Sequence, residues 1–273
     1  MKKTYNILGL VLLLLLIIGT FFDLGIAKVV FIEGNAYSYA FEHLAPAVYG
    51  TILMISVSLM LWTVDVKQES KLKLIWFIIL YLLFTAFGLL MCYSYLGLFG
   101  AIYFVVAVVV TFIYVRKIPT DSVRLYRRVG ATILLTALCS MIVVESIKPI
   151  VGRVRFRAMQ GDYNLFTRWY VINGDKYLPV VSSMEEIKSF PSGHSQWAGT
   201  TLTVSLLAAA LPKWRHKEKT VFLIALLYAV IVMSSRMLQG AHFLSDVTVG
   251  FGFSFLFFIL FRQWLLKKES PID

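Results

Sequence analysis

The chain has 273 residues, 59% of them hydrophobic, and a mean hydropathy of +0.78. A water-soluble domain carries less apolar character, and here the excess lies in long runs, which excludes an ordinary soluble enzyme or binding module. The net charge of +11 might suggest nucleic acid, but the cations gather at the two ends and in alternate loops, as they do on the inner side of a membrane protein.

The runs predict an all-α polytopic membrane helical bundle of about eight transmembrane helices. In chain order the spans are 5–27, 44–64, 72–92, 96–115, 126–147, 195–212, 219–237 and 246–266. The first follows Lys2 and Lys3 and could imitate a signal peptide. It is long and has no small-x-small cleavage site, so an uncleaved helix is expected. A first outer loop, 28–43, holds Glu33-Gly34-Asn35 and several aromatics. The third and fourth spans are separated by Tyr93-Ser94-Tyr95 and read as a tight hairpin. Lys67, Lys71, Lys73, Arg116, Lys117, Arg124, Arg127 and Arg128 fall on the inner side. So do Lys213, Arg215, Lys217, Lys219, Arg262, Lys267 and Lys268. This distribution puts both termini in the cytoplasm.

No soluble second domain or repeat is visible. Residues 1–125 carry the first four helices, and 126–273 carry the last four with an outer loop at 148–194. That loop is the longest polar stretch, with a turn signal at Asn173-Gly174-Asp175. Its apolar run around Trp169, Tyr170, Tyr177 and Leu178 reads as a short hairpin or an interfacial flap. Cys92 and Cys139 lie in spans and form no disulfide framework or metal motif.

Polar groups at a membrane edge are costly and need a reason. Three clusters stand out, and the alternation of spans brings all three to the outer side. Lys148 and Arg155 follow the fifth span, where positive charge is normally sparse. A phosphate would use both, the arginine as a two-pronged donor and the lysine as a point charge. Pro191-Ser192-Gly193-His194 immediately precedes the sixth span. A helix N-terminus offers free N–H groups to an anion. Ser192 is placed to cap that helix or to bond a phosphate, and His194 to donate a proton to a leaving alkoxide. Ser235-Arg236, Gly240, His242 and Asp246 join the last two spans. Asp246 lies four residues after His242, on one helical face, where it could fix the imidazole tautomer and leave the other nitrogen as a nucleophile. The competing structural readings are a headgroup anchor for Lys148, a plain capping turn for 191–194 and an inconsequential pair for 242 and 246. Zinc held by His194, His242 and Asp246 is disfavoured by the cations beside it. His43 and His216 lack such company and read as surface residues.

The order Lys148-x6-Arg155, Pro191-Ser192-Gly193-His194, Ser235-Arg236-x5-His242-x3-Asp246 resembles the type 2 phosphatidic acid phosphatase superfamily, over residues 148–250. The resemblance implies a metal-independent, cofactor-free phosphatase of the bacterial lipid phosphatase branch. It implies His242 as nucleophile, Asp246 as its partner and His194 as acid. Lys148, Arg155, Ser192, Gly193 and Arg236 are then assigned to the phosphate. The family's first motif usually ends Arg-Pro, whereas Phe156 follows Arg155 here, so Arg153 and Arg157 are alternative phosphate contacts. The expected function is hydrolysis of a membrane lipid phosphomonoester or pyrophosphate at the outer face of the plasma membrane, through a phosphohistidine. The alternatives are a phosphoryl or head-group transferase and, in another class, a transporter or lipid-binding scaffold. The near absence of charge inside the spans argues against the last. The expected partner is the lipid substrate, not nucleic acid; oligomeric state and the lipid itself are not legible.

Overall fold

The computed structural model describes residues 1–64 and 70–266, side chains of 265 and 266 excepted, and is helical with no strand among them. Lys67, Lys267 and Lys268, counted above with the inner cations, lie outside the described residues. The helices are α1 (Lys2–Val30), α2 (Ala36–Trp62), α3 (Lys71–Val115), α4 (Val123–Val151), α5 (Gly193–Thr200), α6 (Ser205–Ala210), α7 (Glu218–Leu238) and α8 (Leu244–Leu266). Among the described residues, six helical segments are long and apolar enough to cross a membrane. The chain is therefore a multi-pass membrane protein, built as a helical bundle.

Those six differ from the eight expected spans at two places. Residues 72–92 and 96–115 both fall in α3. At 1.5 Å per residue a straight helix would hold residues 88 and 104 about 24 Å apart. Instead a Cβ on Gly88 would lie 2.7 Å from the Phe104 ring. The chain turns back at Gly97, whose φ of 60° and ψ of −144° suit glycine, so the reversal lies beyond Tyr93-Ser94-Tyr95. The 195–212 run is not one α-helix either: α5 tightens into a 3-10 turn at Thr201–Val204 before α6. The first outer loop is also shorter than expected, because Asn35 caps α2 early by accepting from the Ser38 N–H at 3.1 Å. His43 is consequently helical, and its ring meets Tyr95 at 5.9 Å.

The chain forms two compact units. One comprises His43–Leu138, Thr200–Leu226 and the residues from Leu256 on. Its interior packs Ala47, Met54, Cys92 and Phe104, and its helices are tied by Tyr49 Oη donating to the Ala137 carbonyl at 3.1 Å and by the Arg262–Glu218 pair at 2.8 Å.

The other unit comprises Met1–Glu42, Cys139–Gly199 and Leu227–Phe255, and it contains all three polar clusters. Its core is Ala27, Val154, Phe156, Met159, Ile187 and Phe243. Phe156, standing where the family pattern has proline, meets Phe31, Phe243 and Tyr163 with centroids 5.4, 6.3 and 6.1 Å away. Burying a side chain of that size contributes about 1.5–3 kcal/mol, and it pins the backbone between Arg155 and Arg157. The long loop forms no strand hairpin among the described residues. It runs through short 3-10 turns and closes on α4, whose last carbonyls accept from Asn173 N (on Val151, 2.9 Å) and Gly174 N (on Ile150, 3.1 Å). The Asn173-Gly174 turn thus satisfies a helix end that would otherwise lack partners.

Candidate active site

The site is built around the start of α8. His242 precedes the helix and Asp246 lies in its first turn. The Asp246 carboxylate reaches back to the Phe243 N–H at 2.8 Å, one half of a capping box. Asp23 of α1 caps the same turn from outside, accepting from Ser245 N at 3.0 Å and from the Ser245 hydroxyl. Between the two carboxylates lies Arg153, wholly buried. It donates to Asp246 Oδ1 at 2.5 Å, Asp23 Oδ2 at 2.9 Å, Ser245 Oγ at 2.9 Å and the Thr167 carbonyl at 2.9 Å. Its guanidinium also lies 4.1 Å from the centre of the Phe243 ring.

These bonds correct one expectation. Asp246 does not hold His242 directly: its Oδ2 is 3.9 Å from His242 Nδ1, because that oxygen is taken by Phe243 N and by Ser189 Oγ at 2.6 Å. His242 Nδ1 instead meets the Ser189 carbonyl at 2.6 Å. A carbonyl only accepts, so Nδ1 carries the hydrogen and Nε2 keeps its lone pair. Ser189 therefore links the two, with its hydroxyl on the carboxylate and its carbonyl on the imidazole. These bonds also separate the three arginines of the first cluster. Arg153 is spent on carboxylates, and Arg157 is paired with Glu186 at 2.9 Å. Arg155 is the one left over. Its closest ion-pair contact is Glu185 at 3.8 Å, and its buried Nε has no hydrogen-bond partner among the described residues.

Arg236, at the end of α7, is in the same condition. Its Nη2 is 3.3 Å from Glu42 Oε1, while the buried Nε and Nη1 are unpartnered among the described residues. The turn that follows uses Gly240 at φ 65°, whose carbonyl accepts from Arg157 N.

The third wall is the N-terminus of α5. Ser192 is its N-cap, accepting from Ser195 N at 3.3 Å and from Ser195 Oγ at 2.9 Å. Its own hydroxyl hydrogen remains to be donated. Its backbone is held on α8 by Ser192 N donating to the Asp246 carbonyl at 3.0 Å. Gly250 permits that approach, since a Cβ there would lie 2.2 Å from the Ser192 carbonyl oxygen. Lys148, from the last turn of α4, places Nζ 3.0 Å from where a Gly193 Cβ would be. The ammonium is held by Glu145 at 2.6 Å. His194 Nε2 donates to the Glu42 carbonyl at 3.2 Å, and its ring packs on Trp197 at 4.7 Å.

The structure thus brings His194, His242, Arg155, Arg236, Lys148, Ser192 and Gly193 into one unit, with Asp246 behind His242 and linked to it through Ser189. Burial pushes both imidazoles well below the ordinary histidine range. The Arg155 and Arg236 charges add to this for His242, and the Arg236 charge adds to it for His194. The unit thus holds two histidines kept neutral by burial together with two arginines whose buried N–H groups have no partner among the described residues. Three contributors were not singled out from sequence: Asp23, Ser189 and Glu42. Only Asp23 had a signal, as a carboxylate within an apolar run.

The sequence profile of the PAP2 superfamily matches residues 130–270. Phosphatidylglycerophosphatase B of Bacillus subtilis (strain 168) is 41% identical to the chain over 76 residues, which are 27% of this chain and 37% of that protein. The match therefore spans little more than a third of the relative's length. No solved structure matches the chain.

Proposed function

The chain belongs to the PAP2 superfamily, and from that premise we propose that it is a lipid phosphate phosphatase acting through a phosphohistidine. The substrate phosphate sits on the unpaired donors of Arg155 and Arg236, with Lys148, the Ser192 hydroxyl and the α5 N–H groups around it. His242 Nε2 attacks phosphorus, forming a P–N bond as the bond to the lipid oxygen breaks. A phosphate anion next to His194 favours its protonated form, which then gives its proton to the leaving alkoxide. Water attacks next, losing its proton to His194. The P–N bond breaks, and inorganic phosphate leaves with His242 restored. Asp246 acts through Ser189 and the α8 cap rather than on the ring itself.

The observation that carries this reading is the Ser189 carbonyl on His242 Nδ1 at 2.6 Å. It presents a lone pair at Nε2, in the unit that holds the unmet N–H groups of Arg155 and Arg236. The name of the Bacillus relative recommends a glycerophospholipid carrying a terminal phosphomonoester as the first substrate to try, with a lipid pyrophosphate second. The cation distribution supports a plasma-membrane protein with both termini cytoplasmic and the site on the outer side. The test is phosphate release from a panel of lipid phosphates in detergent with a chelator present. Turnover without added metal and inhibition by vanadate are expected. Turnover that needs zinc or magnesium would overturn the mechanism.

A further inference from the structure

Glu42 lies outside the segment matched by the family profile, yet two parts of it enter the site. In an α-helix the carbonyl of residue 42 would accept from the N–H of residue 46. Residue 46 is proline, inside α2, and has no N–H to give. The Glu42 carbonyl is thereby released from the helix ladder, and the donor it takes is His194 Nε2 at 3.2 Å. The Glu42 carboxylate meanwhile accepts from Gln239 Nε2 at 2.6 Å and Arg236 Nη2 at 3.3 Å.

We infer that Pro46 and Glu42 form a positioning device for the proton-transfer histidine: the proline frees a helix carbonyl, and that carbonyl fixes His194 as the Nε2–H tautomer. Nδ1 is then the atom that exchanges protons with the leaving alkoxide and the incoming water. The inference rests on the phosphatase reading for its catalytic meaning, but its geometry stands apart from it. A carbonyl accepting from Nε2 also stabilises the protonated ring. The device would therefore hold His194 ready to gain a proton when a phosphate arrives, without a second carboxylate that would repel the substrate. The Glu42 carboxylate has a separate part, keeping one edge of Arg236 occupied so that its other donors face inward.

Pro46→Ala tests this, because it restores the missing N–H and lets the helix take its carbonyl back. Alanine is also the better helix former, so loss of function need not accompany loss of fold. The readout is nitrogen-15 NMR of histidine-labelled protein in nanodiscs, tractable with four histidines in the chain. Wild type should show His194 neutral and protonated at Nε2 at pH 7. In Pro46→Ala the Nδ1–H form should appear. Hydrolysis of an alkyl phosphate, which needs the acid, should fall roughly tenfold, and that of an aryl phosphate with a good leaving group should fall less. Glu42→Gln keeps the carbonyl, so its tautomer should stay as in wild type while vanadate inhibition weakens. An unchanged tautomer in Pro46→Ala overturns the inference and leaves the phosphatase reading standing. A tautomer change in Glu42→Gln overturns the assignment to the carbonyl. If wild type released phosphate from no lipid, the phosphatase reading would fail, and the tautomer would still decide the role of Pro46.

Discussion

Arg153 and Arg155 are two residues apart and have opposite employment. Arg153 is sealed between Asp23 and Asp246, and each of its three nitrogens donates to protein. Arg155 turns to the other side with a buried Nε that no described residue meets. The first joins α1, the long loop and α8 into a scaffold, and the second is the one assigned to the phosphate in the proposed reaction. Identical side chains thus serve stability or chemistry according to whether carboxylates have been supplied to them. Burying an unpaired charge is expensive, so the donors of Arg155 and Arg236 that no described residue meets carry a cost that a bound phosphate would relieve.

Substitutions separate the two regions. The largest effect should come from His242→Ala, at the centre of the cradle. Turnover should drop by at least about 10⁴-fold, as removal of a nucleophile does elsewhere, with the thermal transition retained. Next is the scaffold. Arg153→Met leaves two buried carboxylates without their cation and should cost about 3–5 kcal/mol of stability, read as a lowered midpoint of thermal unfolding in detergent. Arg155→Met should do the reverse, keeping or raising that midpoint while cutting kcat by about 10²–10³-fold, the cost of losing one charge-stabilising donor. Equal destabilisation by the two would erase the distinction between them.

Smaller effects sharpen it. Both histidines titrate below their unfolded value of about 6.5, because burial and then the arginine charges hold them neutral. Below that pH the unfolded chain binds more protons than the folded one, so stability should fall as pH drops from about 6.5. Arg155→Met, which removes one of those charges, should soften the fall. The smallest effect expected is for Ser189→Ala. It removes the hydroxyl on Asp246, about 1–3 kcal/mol, but keeps the carbonyl on His242, so activity per folded molecule should persist.

The cradle was legible in sequence where its members sit in local patterns. Pro191 to His194 is a turn running straight into a helix, and Arg236, Gly240 and His242 follow one another through a single bend. What could not be read was pairing across distance. Arg153 meets Asp23 across 130 residues, and Ser245 meets it across 222, and no spacing rule spans such gaps. The choice among Arg153, Arg155 and Arg157 depended on where carboxylates arrive from other segments. Asp246 was paired with His242 on helical spacing, but His242 lies before the first turn, so a capping geometry replaced an i, i+4 one. In the membrane region, composition located the apolar runs. The polar break at Tyr93-Ser94-Tyr95 marked a hairpin there, but hydropathy did not place its turn, which the positive φ of Gly97 sets two residues later.

One measurement addresses the cradle most directly. Protein mixed with a limiting amount of phosphorus-32 lipid phosphate, quenched in base within the first turnover and digested, should yield label on the peptide holding His242, stable to alkali and lost in acid. Rapid phosphate release by wild type, with no protein-bound label at any quench time and equal release by His242→Ala, would contradict the account.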